Sequence, residues 1–152
     1  MIFVMLGTQK QQFTRLLDIL SNSKYLNDKE VIVQNGNTKY NKFKLVNFLD
    51  QDVLDNYIKN CEFVITHGGV GSIFLDVKYN KKVLTIPRKK EYKEHVDNHQ
   101  KDICEKLNEL NYILNYTKDI DQDINKLLNK EFKKYDFNNN CTQIIKNDID
   151  NI

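Results

Sequence analysis

Short apolar runs alternate with segments of helical periodicity along most of the chain. Ile2 to Leu6 is apolar throughout, which predicts a strand covered on both faces. The predicted strands are Ile2 to Leu6, Val31 to Val33, Phe43 to Phe48, Phe63 to Ile65, Val83 to Ile86 and Tyr112 to Leu114. The predicted helices lie around Phe13 to Leu20, Val53 to Ile58, Ile73 to Val77, His95 to Leu110 and Ile120 to Leu128.

This alternation predicts βαβ units and hence the α/β fold class. We expect a Rossmann-like, mostly parallel sheet with helices on both faces. The chain contains no internal repeat or linker, so we expect one domain over residues 1–152. Its core is predicted to reach about residue 130, followed by a polar, Asn-rich helical tail over 131–152 in which Ile144, Ile145 and Ile149 form a weak apolar stripe.

Several segment ends carry more specific expectations. Asp50 is predicted to cap the helix over Val53 to Ile58. The polar segment Ser21 to Lys29 and the charged segment Arg88 to Glu94 are predicted to be loops, and the helix after the second is expected to bury Val96.

Composition places the chain among globular proteins with a proper core. It has 152 residues, 40% of them hydrophobic and 29% charged, and its net charge of +2 gives no electrostatic argument for binding nucleic acid. No apolar run approaches the roughly 20 residues that span a bilayer, and no secretory signal is predicted at Met1. Cys61, Cys104 and Cys141 form no Cys-x-x-Cys pair, so we expect reduced, buried thiols in a cytosolic protein.

The most informative stretch follows the predicted strand Phe63 to Ile65. Thr66-His67 leads into glycines 68, 69 and 71, and an apolar helix then begins. Glycine lets a backbone approach a ligand closely, and the free N–H groups of a helix start favour an anion. A phosphate or diphosphate is the occupant that this pattern favours. The alternative is a plain turn in which the glycines serve only steric needs.

Three loops are expected to meet at one edge of the predicted sheet. Gly7-Thr8, His67 to Ser72 and the segment from Pro87 onward each follow a strand, and ligands of parallel sheets bind outside the carboxyl ends of strands. This coincidence favours the phosphate-binding interpretation. The dinucleotide pattern Gly-x-Gly-x-x-Gly and the Walker pattern are both absent, which argues against NAD enzymes and P-loop NTPases.

Four motifs in order resemble the C-terminal donor domain of GT-B glycosyltransferases, of the family 28 type. They are Ile2 to Thr8, Thr66 to Ser72, Ile86-Pro87-Arg88, and Glu94 to Gln100. The chain is most similar to small stand-alone donor subunits, namely the bacterial exopolysaccharide transferase subunits of the PssE and EpsF type and the catalytic subunit of the eukaryotic dolichol-linked N-acetylglucosamine transferase. The resemblance covers roughly residues 1–115.

The resemblance implies a site for a UDP-sugar, which is a substrate, with no cofactor and no metal. The His67 loop and Ser72 would hold the diphosphate, Asn98, His99 and Gln100 would face the sugar and β-phosphate, and Asp76 would accept from the ribose. The chain departs from the family at Leu75, where a Glu is usual. The implied donor-binding residues are Gly7, Thr8, His67, Gly68, Gly69, Gly71, Ser72, Asp76, Arg88, His95, Asn98, His99 and Gln100.

Each of these residues also has a structural interpretation. His67 can simply fix its loop by bonding to the backbone, and His95 can be a solvated residue near a helix start. His95 and His99 have the spacing of a metal pair, but no third ligand is evident. The basic residues from Arg88 can form a solvated loop, and Glu94 and Asp97 can stabilise a helix start.

The resemblance implies transfer of a sugar from UDP with inversion, in polysaccharide or glycan biosynthesis. The chain would be the donor-binding half, and a separate membrane-anchored subunit would bind a lipid-linked (polyprenyl diphosphate) saccharide acceptor. The general base is left unnamed because the partner can supply it. The expected location is cytoplasmic, at the membrane face through the partner, and a homodimer of the isolated chain is left open.

Two other functions stay open on the sequence alone. The chain can be a non-catalytic enhancer of a complete polysaccharide glycosyltransferase, in which case disabling His67 or Gln100 would leave the complex active. It can also be an unrelated phosphate-binding α/β protein, in which UDP would bind no better than inorganic phosphate.

Overall fold

A parallel sheet forms the centre of the protein. The computed structural model describes residues 1–134, and within them six strands pair in the order β3-β2-β1-β4-β5-β6, all parallel. The strands are β1 (Ile2–Met5), β2 (Val31–Gln34), β3 (Lys44–Val46), β4 (Val64–Thr66), β5 (Val83–Thr85) and β6 (Leu114–Asn115). The Rossmann-like α/β fold predicted from the sequence is confirmed.

The described residues contain five α-helices, four of them between strands and the last after β6. They are α1 (Thr14–Ser21), α2 (Gln51–Asn60), α3 (Val70–Lys78), α4 (His99–Glu109) and α5 (Ile120–Asn129), with short 3-10 turns at Tyr25–Asp28 and Lys90–Tyr92. None of the helices in residues 1–134 combines the length and apolar character needed to cross a bilayer.

The alternation of side chains along β1 builds a core on each face of the sheet. Ile2, Val4 and Leu6 pack in one apolar cluster with α1 and α5, whereas Phe3 and Met5 pack in another with α2 and part of α3. A third cluster joins α3 and α4 beside β5. Because both faces are covered, the four central strands β1, β2, β4 and β5 are fully buried and largely apolar runs, which is why the sequence pattern located them.

The strand order places three loops together. The chain reverses its direction of winding at β1, which pairs with β2 on one side and β4 on the other, so that Met5 is in register with both Gln34 and Thr66. The loops that leave β1, β2 and β4 therefore emerge side by side at the carboxyl edge of the sheet. This is the switch point at which open α/β sheets bind ligands.

Several local expectations were wrong in detail. Asp50 occupies the N-cap position of α2, but its side chain makes no cap hydrogen bond. The fourth predicted helix begins at His99 rather than near His95, and Val96 is 66% exposed instead of buried. The polar segment Ser21 to Lys29, predicted to be a loop, contains the 3-10 turn Tyr25–Asp28 and a buried Leu26.

The charged segment Arg88 to Glu94 is exposed over residues 90–93, as its composition predicts, but not at its two ends. Both of its end residues are buried, because each finds partners elsewhere in the fold. Glu94 bonds to the guanidinium of Arg15 on α1, and Arg88 donates to backbone carbonyls. Glu94 therefore does not stabilise the start of α4, whereas Asp97 does, since its Oδ1 accepts from the backbone N–H of His99 at 2.9 Å.

Cys61 and Cys104 are buried free thiols, as expected, and burial raises their pKa to about 11 and about 12. Cys141 and the apolar stripe of Ile144, Ile145 and Ile149 lie outside the described residues, as does most of the predicted tail.

Candidate functional site

The imidazole of His67 lies in a box with glycine walls at the carboxyl edge. Gly7 has a φ of +79°, and a Cβ there would stand 2.6 Å from both Cε1 and Nε2 of the ring. A Cβ on Gly69 would collide with Cε1 of the same ring and stand 2.9 Å from Nε2. Both glycines are therefore required by the close approach of His67. The ring has one tightly defined position between the loops that leave β1 and β4.

Gln100, in the first turn of α4, ties the loops after β4 and β5 together. The backbone N–H groups of Gly68 and Arg88 both donate to its Oε1, at 3.1 and 3.2 Å, and its Nε2 lies 3.2 Å from His67 Nδ1. A Cβ on Gly68 would stand 2.6 Å from the Cβ of Gln100. The side chain of Gln100 is buried, and every polar atom of its amide is engaged within the protein.

His67 is neutral at physiological pH. Burial lowers its pKa to about 4, and the nearby charge of Arg88 and, more weakly, His95 acts in the same direction. The other ring nitrogen, Nε2, lies 3.4 Å from Ser72 Oγ. The site thus presents an uncharged imidazole beside the hydroxyl of Ser72, in the first turn of α3.

The start of α3 supplies backbone donors. Gly69 is its N-cap residue and has no side chain to cap the helix, and the first turn contains no acidic residue. The N–H groups of Val70, Gly71 and Ser72 precede the first intrahelical bond, which Ile73 makes to the carbonyl of Gly69 at 3.0 Å. A Cβ on Gly71, unlike one on Gly69, would meet nothing within 4 Å, so the surroundings of Gly71 are open. This arrangement favours an anionic ligand.

Arg88 lies beneath this site. Only 1% exposed, its guanidinium donates to the carbonyls of Leu6, Gln11 and Glu94 at 2.7 to 3.0 Å. Burial lowers its pKa to about 10, so it stays charged at neutral pH. The direct contact with a ligand that the resemblance implied for Arg88 is therefore not what the structure shows, and the residue instead adds positive potential from within the protein.

Asp76 does not reach the site surface. It is 0% exposed, and neither of its carboxyl oxygens has a hydrogen-bond partner among the described residues. Burial raises its pKa well above the ordinary value. The predicted contact with ribose hydroxyls is wrong for this conformation, because α3 turns the side chain into the interior.

The predicted group of Asn98, His99 and Gln100 is divided by the start of α4. Asn98 and His99 are exposed, and Asn98 Oδ1 accepts from the backbone N–H of Lys90 at 3.0 Å. Gln100 faces inward and bonds to His67 and to the loops after β4 and β5, and its expected contact with a sugar stays a prediction. His95 is half-buried, with Nδ1 3.2 Å from Asp97 Oδ1.

Sequence reasoning missed Gln34, which holds the first loop. The backbone N–H of Gly7 donates to Gln34 Oε1 at 3.2 Å, and Gln34 Nε2 donates to the carbonyl of Asn47 at 2.9 Å. A polar residue ending the apolar run Val31 to Val33 was the available signal. Thr8, by contrast, is exposed at the rim of the site.

Aspartates with the Asp-x-Asp spacing of many metal sites occur at Asp119, Asp121 and Asp123, but the fold uses them otherwise. Asp119 caps α5 by accepting from the N–H groups of Asp121 and Gln122. Asp121 accepts from Ser23 and two backbone N–H groups, and Asp123 accepts from Thr117. Across residues 1–134, no cluster of three or more His, Cys, Asp or Glu side chains is arranged to hold a metal ion.

Comparison with known proteins agrees with this architecture. The family model of the glycosyltransferase family 28 C-terminal domain matches residues 1–150. The UDP-N-acetylglucosamine transferase subunit ALG13 of Candida albicans is 30% identical over 76 residues, which are 50% of this chain and 25% of that protein. The chain thus matches about a quarter of the length of this relative.

Solved structures share the fold at low sequence identity. An NMR solution structure of ALG13 has a TM-score of 0.60 and 17% identity, covering 93% of this chain and 91% of that one. The glycosyltransferase SnogD from Streptomyces nogalater has a TM-score of 0.56 and 16% identity, over 84% of this chain and 34% of that one. The glycotransferase of kitacinnamycin gives 0.60 and 14%, over 86% and 35%. At these identities the likeness shows the fold alone.

Proposed function

The chain belongs to the family of glycosyltransferase family 28 C-terminal domains, and from this premise we propose that it binds the donor of a UDP-sugar-dependent transferase at the His67 loop. The observation that carries this proposal is the convergence of three features on one point of the carboxyl edge. These are the free N–H groups at the start of α3, the neutral imidazole of His67 and the buried charge of Arg88. The N–H groups and the Arg88 charge attract a diphosphate, and the imidazole can donate to it from a ring N–H.

The reaction proposed is an inverting transfer. An acceptor hydroxyl oxygen attacks the anomeric carbon and forms the new glycosidic bond, while the bond from that carbon to the diphosphate oxygen breaks and UDP leaves with the electron pair. The hydroxyl proton passes to a general base, which we do not assign to this chain. The chain's own contribution is electrostatic, because fixed N–H donors stabilise the charge that develops on the departing diphosphate.

We further propose that this stabilisation needs no metal ion or cofactor. Backbone N–H groups of Val70, Gly71 and Ser72 would share the diphosphate oxygens with the side chains of His67 and Ser72. Asn98 and His99 are exposed on the neighbouring segment and are the candidates for contacts to the sugar. Gly7 supplies close backbone approach on the opposite wall of the site.

The acceptor is proposed to be a lipid-linked saccharide held by a membrane-anchored partner subunit on the cytoplasmic side. The Candida albicans relative is itself named a transferase subunit. Exposed apolar side chains also lie on the carboxyl edge of the sheet that holds the proposed donor site: Phe48, Tyr92 and Val96 are 58%, 56% and 66% exposed on segments that leave the carboxyl ends of β3 and β5. Exposed apolar residues beside a site favour a protein partner that covers the same edge.

A nucleotide panel tests the donor assignment. UDP and UDP-sugars should protect the purified chain against thermal unfolding, whereas GDP, ADP and inorganic phosphate should protect it less. Transfer of radiolabelled sugar should require both this chain and the acceptor-binding subunit. Equal protection by UDP and by inorganic phosphate would contradict the donor assignment. It would favour the alternative of an unrelated phosphate-binding protein.

A non-catalytic enhancer remains the second candidate, and the structure offers one observation in its favour. Gln100 and Asp76, two of the side chains implied to contact the donor, both face inward. The two functions differ in one measurement. A His67→Ala variant assembled with its partner should lose transfer if this chain binds the donor, and should keep it if the chain is an enhancer.

A further inference from the structure

Gln100 is buried in the first turn of α4 and bonds to His67, the residue at the centre of the site. We propose that Gln100 is a positioning residue that holds His67 as the Nε2–H tautomer, so that this N–H donates to the diphosphate. The inference rests on the proposed function for the identity of the ligand. The tautomer itself follows from contacts within the protein.

The orientation of the Gln100 amide is determined by its two backbone partners. The N–H groups of Gly68 and Arg88 can only donate, and both point at the same amide atom, at 3.1 and 3.2 Å. That atom must be the carbonyl oxygen, since an amide nitrogen has no acceptor capacity. The NH₂ group of Gln100 therefore faces His67 Nδ1, 3.2 Å away.

The tautomer of His67 follows from this orientation. An NH₂ group can only donate, so Nδ1 must offer a lone pair. A neutral imidazole carries one proton, which must then be on Nε2. A ring flipped by 180° would place Cδ2 against the NH₂ group of Gln100, and Cδ2 cannot accept a hydrogen bond, so the orientation with Nδ1 there is the one that satisfies the amide.

This tautomer has a definite consequence for ligand binding. Nε2 points toward Ser72 at the start of α3, where the diphosphate is proposed to bind. An Nε2–H there attracts a phosphate oxygen, whereas an Nε2 lone pair would repel it. The charged or titratable groups that act on the ring are Arg88 and His95, both on the segment between β5 and α4. The wall residues from the other elements, Gly7, Ser72 and Gln100, do not titrate.

The substitution Gln100→Glu changes the tautomer of His67 while it keeps the size and packing of the side chain. A carboxylate can still accept from Gly68 and Arg88, but toward Nδ1 it can only accept. His67 should then carry its neutral proton on Nδ1, with a lone pair on Nε2. At about pH 8 this should weaken binding of UDP-N-acetylglucosamine at least about tenfold. The new carboxylate also raises the pKa of His67, so affinity should recover as the pH falls and Nε2 gains a proton.

The experiment measures two quantities on the full chain. Nitrogen-15 NMR of labelled histidine reports the tautomer of His67, with a His67→Asn variant to assign it among the three histidines. Calorimetric titration with UDP-N-acetylglucosamine, whose diphosphate does not titrate in this range, gives affinity between about pH 5.5 and 8. Wild type should show Nε2–H and a nearly constant affinity, and Gln100→Glu should show Nδ1–H and an affinity that rises toward low pH.

Gln100→Met is the control for lost packing, and should bind less tightly at every pH without recovery. An Nδ1–H tautomer in wild type, or a Gln100→Glu variant with the wild-type pH profile, would overturn the inference. If wild type binds no UDP-sugar at all, the proposed function fails. In that case the tautomer measured by NMR still tests the positioning role of Gln100, because this measurement needs no ligand.

Discussion

The carboxylate of Glu94 accepts hydrogen bonds from the guanidinium of Arg15, and the two shortest, from Nε to Oε2 and from Nη2 to Oε1, are each 3.0 Å long. The two residues are 79 positions apart in the chain, and the carboxylate is buried. Arg15 also donates to the carbonyl of Pro87 at 2.8 Å, and the N–H of Lys89 donates to Glu94. This pair fastens the segment between β5 and α4, which carries the exposed rim of the site, to helix α1.

Arg15→Met should therefore destabilise the protein by about 2 kcal/mol, because it leaves the carboxylate of Glu94 buried without its charged partner. Denaturant unfolding at neutral pH measures this change. Lys101→Met is a matched control. It removes a pair to Glu105 whose atoms are 4.0 Å apart and whose side chains are 45% and 52% exposed, and should change stability by less than about 0.5 kcal/mol. Equal effects of the two substitutions would show that the Arg15 pair does not hold the segment.

Asp76→Asn should stabilise the protein at neutral and higher pH, by on the order of 1 kcal/mol. The pKa of this buried carboxyl is raised well above its ordinary value of 3.8, so the folded state holds the proton to higher pH than the unfolded chain. Its contribution to the free energy of unfolding consequently falls as the pH rises above 3.8. Unfolding curves for the variant and wild type should converge toward low pH and separate as the pH rises.

The same variant tests the ribose assignment. Since Asp76 is fully buried, Asp76→Asn should leave UDP affinity unchanged. A large loss of affinity in a variant that is folded and at least as stable as wild type would show that α3 presents this carboxylate to the ligand after all.

Two glycines of the loop should respond in opposite ways to the same added methyl group. Gly69→Ala should destabilise the protein by about 2 kcal/mol, because the methyl would overlap the His67 ring. Gly71→Ala lies within α3 with open space around it, and should stabilise the helix by about 0.5–1 kcal/mol. Thermal unfolding of both variants distinguishes these effects. If Gly69→Ala is as stable as wild type, the close box around His67 is wrong.

His67 should make the protein less stable in acid. Its folded pKa, lowered chiefly by burial to about 4, lies below the ordinary value of 6.5, so the unfolded chain binds this proton first as the pH falls. Stability from this group is fully present above about pH 6.5, and about 2 kcal/mol of it is lost at pH 5. His67→Asn should lack this loss. The comparison is best made in an Asp76→Asn background, because Asp76 acts in the opposite direction over part of this range.

The sheet could be predicted because its four central strands are buried on both faces and therefore appear as largely apolar runs. The loop from His67 to Ser72 could also be located, since glycines between a strand and a helix mark the carboxyl edge. The inward orientation of Gln100 could not be predicted, because it depends on α4 beginning at His99. The burial of Arg88 and Glu94 depends on Leu6, Gln11 and Arg15, which are distant in sequence. A charged segment gives no local sign of such partners.

Calorimetric titration of the purified chain with UDP is the most direct test of the donor site. We expect saturable binding of one UDP per chain, weakened at least about tenfold in His67→Ala and unchanged in Lys101→Met. Binding of UDP no tighter than that of inorganic phosphate, or a His67→Ala variant that binds UDP as wild type does, would contradict the assignment of the donor site to this loop.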